Sequence, residues 1–284
     1  MTLAEALRHA REMLVAHQIE EANFEAELLL RHTLGKSRAE LYLDLNQDLG
    51  PNEATAFWQL IERRLGHEPT AYITGHREFY GLDFYVDRRV LIPRPESELL
   101  VEKALAWATG RGGEPALICE IGTGSGAIAI TLAWYLPRSQ VYATDISPGA
   151  LEVAARNCRQ HGVAHRVKLL GGNLLETLPE PVDLIVANLP YLSRREIEAL
   201  PPEIADYEPR LALDGGETGL DRIMALSDQL PGRLRPGGLL LLEVGTSQAE
   251  ALSARLRHLM PQADVSVTPD LSGAERVVSL TLPC

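Results

Sequence analysis

Cysteine is scarce in this 284-residue chain: Cys119, Cys158 and Cys284 stand far apart, with no C-x-x-C pair. That excludes a disulfide framework and fits a reducing compartment. Basic charge is short as well, with 27 Lys and Arg against 39 Asp and Glu, a formal net charge of -12. A broad phosphate-binding surface needs clustered Lys and Arg, so direct binding of nucleic acid is not expected. Fifteen aromatics (4 Phe, 3 Trp, 8 Tyr) are thin material for stacking single-stranded bases. No apolar run approaches the roughly 20 residues that cross a bilayer. The opening MTLAEALRHAREML lacks the basic and then apolar regions of a signal peptide. Repeats and low-complexity tracts are also missing. The expectation is a soluble cytoplasmic protein with no membrane partner. At 45% hydrophobic and 23% charged residues it is a globular one, long enough for two domains.

Residues 1–70 read as a small helical domain. Leu3, Leu7, Ala10 and Leu14 recur at helical steps, and Asn23 is a candidate cap for a second helix carrying Phe24, Leu28 and Leu29. Phe57, Leu60, Ile61 and Leu65 mark a further helix, with Gly66 placed to end it. This region holds 7 basic and 12 acidic side chains, so it is no clamp for nucleic acid. Residues 71–95 contain β-branched and aromatic runs broken by Gly75 and Gly81, a connecting β-hairpin.

Residues 96–284 alternate short apolar runs with helical stretches. The runs lie at 116–121, 141–144, 167–170, 183–188 and 239–244. Near-continuous apolarity is what parallel strands covered on both faces require. The expected fold class is α/β, a doubly wound Rossmann-like sheet, mostly parallel, with ADVSV and RVVSLTL as an antiparallel edge.

The first of these strands runs into Glu120-Ile121-Gly122-Thr123-Gly124-Ser125-Gly126, and a helix follows at once. Such a loop brings a ligand close to main-chain N–H groups at a helix N-terminus. Asp145 ends the second strand, 19 residues after Gly126, where a carboxylate accepts the hydroxyl protons of a ribose. Glu120 is a candidate partner for a cationic ligand group. The glycines fall as G-x-G-x-G, whereas a dinucleotide fingerprint would place its third small residue at Ala127. The three parts resemble an S-adenosylmethionine site; a ligand-free turn and a nicotinamide dinucleotide are the alternatives.

The fourth strand ends in Asn188-Leu189-Pro190-Tyr191. A planar amide or exocyclic amine is a poor nucleophile, because its nitrogen lone pair is delocalised. The Asn188 side-chain oxygen and a carbonyl near Leu189 or Pro190 can each accept one N–H, orienting the nitrogen towards an activated methyl. Tyr191 offers a flat face for the planar group. His161 and His165 in HGVAH are four apart, but no third ligand has matching spacing, so a solvated loop is expected and no metal.

With these motifs in hand, the chain resembles the HemK/PrmC-type protein-glutamine methyltransferases that act on peptide chain release factors. The similarity covers nearly the whole chain and includes EPTAYITGHREFYGLDFYVDRRVLIPRPESELLVE (68–102) and YEPRLALDGGETGL (207–220). The resemblance implies a class I methyltransferase fold and S-adenosylmethionine as cofactor. It further implies methylation of the side-chain amide nitrogen of the Gln in a Gly-Gly-Gln motif. By the family's pattern Gly122, Thr123, Gly124, Ser125, Gly126 and Asp145 hold the cofactor, joined by Glu120, Asn173, Leu174 and Asn188. Asn188, Leu189, Pro190 and Tyr191 hold the substrate amide, with Asn188, Pro190 and Tyr191 as the catalytic group. Arg94, within Ile92-Pro93-Arg94-Pro95-Glu96, joins the substrate residues, and residues 1–70 recognise the partner. The family usually reads N-P-P-Y; here Leu189 replaces the first proline, a form typical of ribosomal RNA adenine dimethyltransferases. Gly172-Asn173-Leu174 stands where Gly-Asp is common. Rival expectations are a glutamine of a ribosomal protein, adenine N6 of RNA or DNA, and a cofactor-binding module without activity.

Overall fold

The computed structural model describes residues 1–284, which divide into two compact units. The first comprises Met1–Gly75 together with Pro202–Tyr207. It contains α1 (Leu3–Ala16), α2 (Ala22–Leu34), α3 (Arg38–Leu43), α4 (Pro51–Leu65) and α5 (Thr70–Thr74). Helix α1 opens with a capping box: the Glu5 N–H donates to Thr2 Oγ1 at 3.2 Å, and the Thr2 N–H donates to Glu5 Oε2 at 2.9 Å. Ser37 and Glu40 repeat the device at α3.

The start of α2 departs from the sequence reading. Glu21 is its N-cap, and Asn23 lies inside the helix. Its buried stripe is Ala22, Ala26, Leu29 and Leu30, which leaves Phe24 exposed. The small alanines set the inward face, where the sequence reading gave weight to the aromatic ring. Gly66 does cap α4. The unit extends to Gly75 because Thr70–Thr74 form a helical turn ended by left-handed Gly75. The segment Pro202–Tyr207 belongs here through buried Arg64, which pairs with Glu25 and, at 2.8 Å, with Glu203. The Tyr207 hydroxyl donates to the Gly66 carbonyl at 2.6 Å.

The second unit comprises His76–Pro201 and Glu208–Cys284. The hairpin of β1 (His76–Phe79) and β2 (Leu82–Tyr85) belongs to this unit and is not a separate linker. A 3₁₀ turn (Pro95–Ser97) leads into α6 (Glu98–Gly110). Then come β3 (Leu117–Ile121), α7 (Ala127–Tyr135), β4 (Gln140–Asp145), α8 (Pro148–Gln160), β5 (Val167–Gly171) and β6 (Val182–Ala187). After α9 (Arg194–Glu198), the helical turn α10 (Pro202–Ala205) lies in the segment assigned to the first unit. Last are α11 (Asp221–Gln229), β7 (Leu234–Glu243), α12 (Ala249–Leu259), β8 (Asp264–Pro269) and β9 (Glu275–Thr281).

The sheet has the order β5-β4-β3-β6-β7-β9-β8. Its first five strands are parallel, and β9 and β8 pair antiparallel at the edge. Alternate residues feed two cores. Ile118, Leu184 and Leu241 join the apolar residues of α6 and α7, and the hairpin adds Phe79 and Phe84. Cys119, Ile185 and Leu240 join those of α11 and α12 on the other face. Helix α7 is buried over most of its circumference, as its unbroken apolar sequence requires. His161 is not the solvated loop residue expected: its ring packs 5.0 Å from that of Phe84, and its Nε2 lies 2.8 Å from the Asp83 carbonyl.

Candidate active site

Strand order reverses between β3 and β6: the chain adds β4 and β5 on one side, then β6 and β7 on the other. Ligands of open α/β sheets lie beyond the carboxyl ends of strands at such a point. The register sharpens this. Ile121 is paired with Thr144 and with Ala187, and Ala187 with Leu242. The next residue of each strand therefore falls in one row across the sheet: Asp145, Gly122, Asn188 and Glu243. A cavity opens over this row, lined among others by Arg94, Ser97, Glu120, Gly122 to Ser125, Asp145, Asn173, Leu174 and Asn188 to Pro190.

At the β3 end the chain turns sharply into α7. Gly126 caps the helix at φ 84°, and a Cβ there would lie 2.8 Å from Ile130 and 3.3 Å from Ala154. A side chain is thus opposed by both conformation and space. Asp145 pins the loop, accepting the Gly124 N–H at 2.9 Å and the Ser147 N–H at 2.8 Å. Burial raises the Asp145 carboxyl above its usual range, while these N–H groups act the other way. Glu120 is buried and accepts the Thr123 hydroxyl and, at 3.0 Å, the Ala129 N–H. Burial pushes its carboxyl up to about 8. No side-chain cation pairs with it in the protein, and burying an unpaired carboxylate is costly. A ligand ammonium would offset that cost, so the glycine cradle, Asp145 and Glu120 fit a cofactor with a ribose and a cationic amino acid moiety. Asn173 lines the cavity edge with its Nδ2 donating to Glu176 Oε1 at 3.0 Å. Leu174 is buried at φ 53°, and its carbonyl accepts the Thr144 hydroxyl at 3.3 Å.

At the β6 end Asn188 is the first residue past the strand. Its Nδ2 donates to Ser97 Oγ at 2.8 Å, and Ser97 Oγ donates to Glu243 Oε2 at 2.7 Å. Leu189 is buried, and a Cβ on Gly122 would be 3.1 Å from its Cδ2. The two turns therefore touch, with Leu189 packed against Gly122. Arg94 lines the cavity and is held at 2.5 Å by Glu208. Two of the expected residues do not line the cavity: Gly126, which caps α7, and Tyr191. Tyr191 packs inward against the second core, and a Cβ on Gly245 would meet its Cδ2 at 3.1 Å. Burial pushes its hydroxyl up to about 12.

The stretch 207–220 contributes from beneath. Leu192 donates to the Leu213 carbonyl at 3.2 Å, and Gly215 donates to the Leu192 carbonyl at 2.9 Å. A Cβ at Gly215 would lie 2.8 Å from the Pro190 carbonyl oxygen, so only glycine lets this loop brace the turn. The Gln248 amide donates to the Tyr191 carbonyl at 2.8 Å. Sequence reasoning missed Ser97, Glu243, Gly215 and Gln248. Ser97 directly follows the quoted Ile92–Glu96 stretch, and Glu243 is a lone carboxylate in an otherwise apolar run, which was the available signal.

Comparison with known proteins gives a consistent set of likenesses. The family model of the PrmC N-terminal domain matches residues 5–75, and that of a methyltransferase domain matches residues 118–207. The chain is 45% identical over 277 residues to a release factor glutamine methyltransferase of Moorella thermoacetica, covering 97% of each. It is 44% identical over 284 residues to one of Cereibacter sphaeroides, covering 100% of this chain and 99% of that one. Among solved structures, a methyltransferase of Pyrococcus furiosus shares the fold at TM-score 0.54 and 17% identity, covering 72% of this chain and 91% of that one.

Proposed function

We propose, on the premise that this chain belongs to the release factor glutamine methyltransferase family, that it methylates the side-chain amide nitrogen of the Gln in a Gly-Gly-Gln motif of peptide chain release factors. The observation that carries this reading is the 45% identity, which runs through the helical unit as well as the sheet. The methyl donor in this reading is S-adenosylmethionine, which supplies a carbon activated by a sulfonium. Glu120 receives its ammonium, Asp145 its ribose hydroxyls, and the Gly122–Gly126 turn its main-chain approach. Asn173 and Leu174 border its base.

The substrate residues do two things. Asn188 Oδ1 and a main-chain carbonyl of Leu189 or Pro190 accept the two N–H bonds of the glutamine amide. That aims the nitrogen at the methyl and favours the positive charge growing on it. The new C–N bond forms as the S–C bond breaks, and the alkylated nitrogen, now acidic, releases its proton to solvent. No strong base is required. Tyr191 serves by fixing the turn from behind, and Arg94 borders the substrate end. Residues 1–70 dock the release factor, and the protein works in the cytoplasm, where translation supplies that partner. No helix is long and apolar enough to cross a membrane.

The test is incubation of the purified chain with release factors, ribosomal protein and ribosomal RNA in the presence of labelled cofactor. Mass spectrometry then locates the product. A single methyl on the Gln of Gly-Gly-Gln is expected; label appearing only in RNA or in ribosomal protein overturns the reading.

A further inference from the structure

Asn188 can accept a substrate N–H only if its carboxamide is turned the right way. The oxygen and nitrogen ends of that group are nearly equal in size, so packing does not choose between them. Hydrogen-bond polarity does. We infer that Ser97 and Glu243 are positioning residues that set the Asn188 carboxamide so that Oδ1, and not Nδ2, faces the substrate nitrogen.

Glu243 closes β7 and is 1% exposed, and Ser97 ends the 3₁₀ turn at 4% exposure, so neither exchanges partners with bulk water. An ionised carboxylate only accepts, so the Ser97 hydroxyl proton is committed to Glu243 Oε2 at 2.7 Å. Ser97 Oγ is then left with acceptor capacity alone. The Asn188 atom 2.8 Å away must be a donor, which makes it Nδ2. Oδ1 is the remaining end of the amide, on a residue that lines the cavity. Register makes the bridge possible: Ala187 pairs with Leu242, so Asn188 and Glu243 sit level at the ends of adjacent strands, within reach of one Ser97 hydroxyl.

Reversal follows from the same logic. A protonated Glu243 can donate to Ser97, whose hydroxyl is then free to donate to Asn188. That arrangement draws Oδ1 away from the substrate. The groups facing Glu243 are Arg276 at the start of β9, Arg94 just before the 3₁₀ turn, Glu96 within it, and Tyr191 just past β6. Burial is the largest influence on its carboxyl, pushing it up to about 7, with the two arginines acting the other way. Protonation of Glu243, and with it the reversal, is therefore expected near pH 7.

The inference rests on the methyl-transfer reading and is tested with ratios taken on whichever amino acceptor the wild type methylates. Ser97→Ala is expected to lower kcat by roughly 10- to 100-fold with cofactor Kd within about 2-fold, and Ser97→Thr to recover most of the loss. In the wild type, kcat at saturating substrates should fall on the acid side through a single step near the Glu243 value. Glu243→Gln, nearly isosteric, should flatten that limb. Unchanged kcat in Ser97→Ala, or the same acid limb in Glu243→Gln, overturns the inference. Should Ser97→Ala fail to fold, the pH profile of Glu243→Gln decides alone. A wild type that methylates adenine amines and no glutamine contradicts the substrate reading, while the variant ratios on that amine still decide the relay.

Discussion

Two carboxylates lie buried at carboxyl ends of the sheet, Glu120 on β3 and Glu243 on β7, and they are handled differently. Both are nearly inaccessible, and both accept a hydroxyl proton, from Thr123 and Ser97 respectively. Glu120 takes its second bond from Ala129, within the helix its own strand leads into. It therefore holds only its own turn, with no protein side-chain cation as partner. Glu243 has Arg276 and Arg94 nearby, and its hydroxyl partner passes the chain on to Asn188. The first arrangement suits a site completed by a ligand cation. The second suits a site whose polarity the protein sets for itself. Placed one strand apart on either side of β6, they stand beside the proposed cofactor end and the proposed amide end.

Substitutions at the two ends should separate accordingly. The largest effect is expected at the amide end: Asn188→Ala should lower kcat by roughly 10²- to 10³-fold, the scale of losing one preorganised polar group. Cofactor Kd, read by calorimetry, should change by less than about 3-fold. Comparable losses in both would erase the division. Gly215→Ala comes next. Its Cβ would press on the backbone of Pro190 and Tyr191 and on the Gly219 carbonyl. Displacing the turn by about 1 Å should cost about 10²-fold in single-turnover rate. An unaltered rate would remove the bracing role of residues 207–220. At the proposed cofactor end, Asp145→Ala should raise cofactor Kd by about 10- to 100-fold, since it removes the carboxylate proposed to accept the ribose hydroxyls and frees Gly124. Here the rate at saturating cofactor should hold.

The most diagnostic effect is one of pH, because it changes no residue, and it is small within any one pH unit. Glu120 keeps its proton up to about 8 in the folded chain, against 4.5 when unfolded. Its contribution to stability is therefore complete below 4.5 and is lost as pH rises through about 8. Asp145 shifts in the same direction for the same reason, its burial. A cofactor ammonium needs the ionised form of Glu120, so cofactor Kd should fall with rising pH, by up to about tenfold per unit below about 8. Glu120→Gln should flatten that slope and stabilise the free protein at alkaline pH. Titration calorimetry and thermal melts across pH 6 to 9 read both quantities.

The sequence was most readable where a signal is local. The parallel strands declared themselves by continuous apolar runs, because both faces are covered. The glycine turn and Asp145 lie at spacings set by one strand–turn–helix–strand unit. The α2 register was misread because small Ala22 and Ala26 face inward while Phe24 faces solvent. A hydrophobic side chain outranked a small one in the pattern but not in the packing. The chain Asn188–Ser97–Glu243 was invisible for a different reason: its links span 91 and 146 residues, and only the sheet register brings them level. The assignment of Pro202–Tyr207 to the helical unit depends on Arg64 finding Glu203, which periodicity cannot reveal. Tyr191 lies between these cases. Its motif was legible, but the side on which its ring packs depends on a close approach to Gly245.

The central claim concerns a single atom, the Asn188 Oδ1, and a structure of the chain with S-adenosylhomocysteine and a Gly-Gly-Gln peptide tests it most directly. The account predicts the glutamine side-chain nitrogen within hydrogen-bond distance of Asn188 Oδ1 and of the Leu189 or Pro190 carbonyl, with Nδ2 still on Ser97. An amide held elsewhere, with the Asn188 oxygen turned towards Ser97, would contradict it.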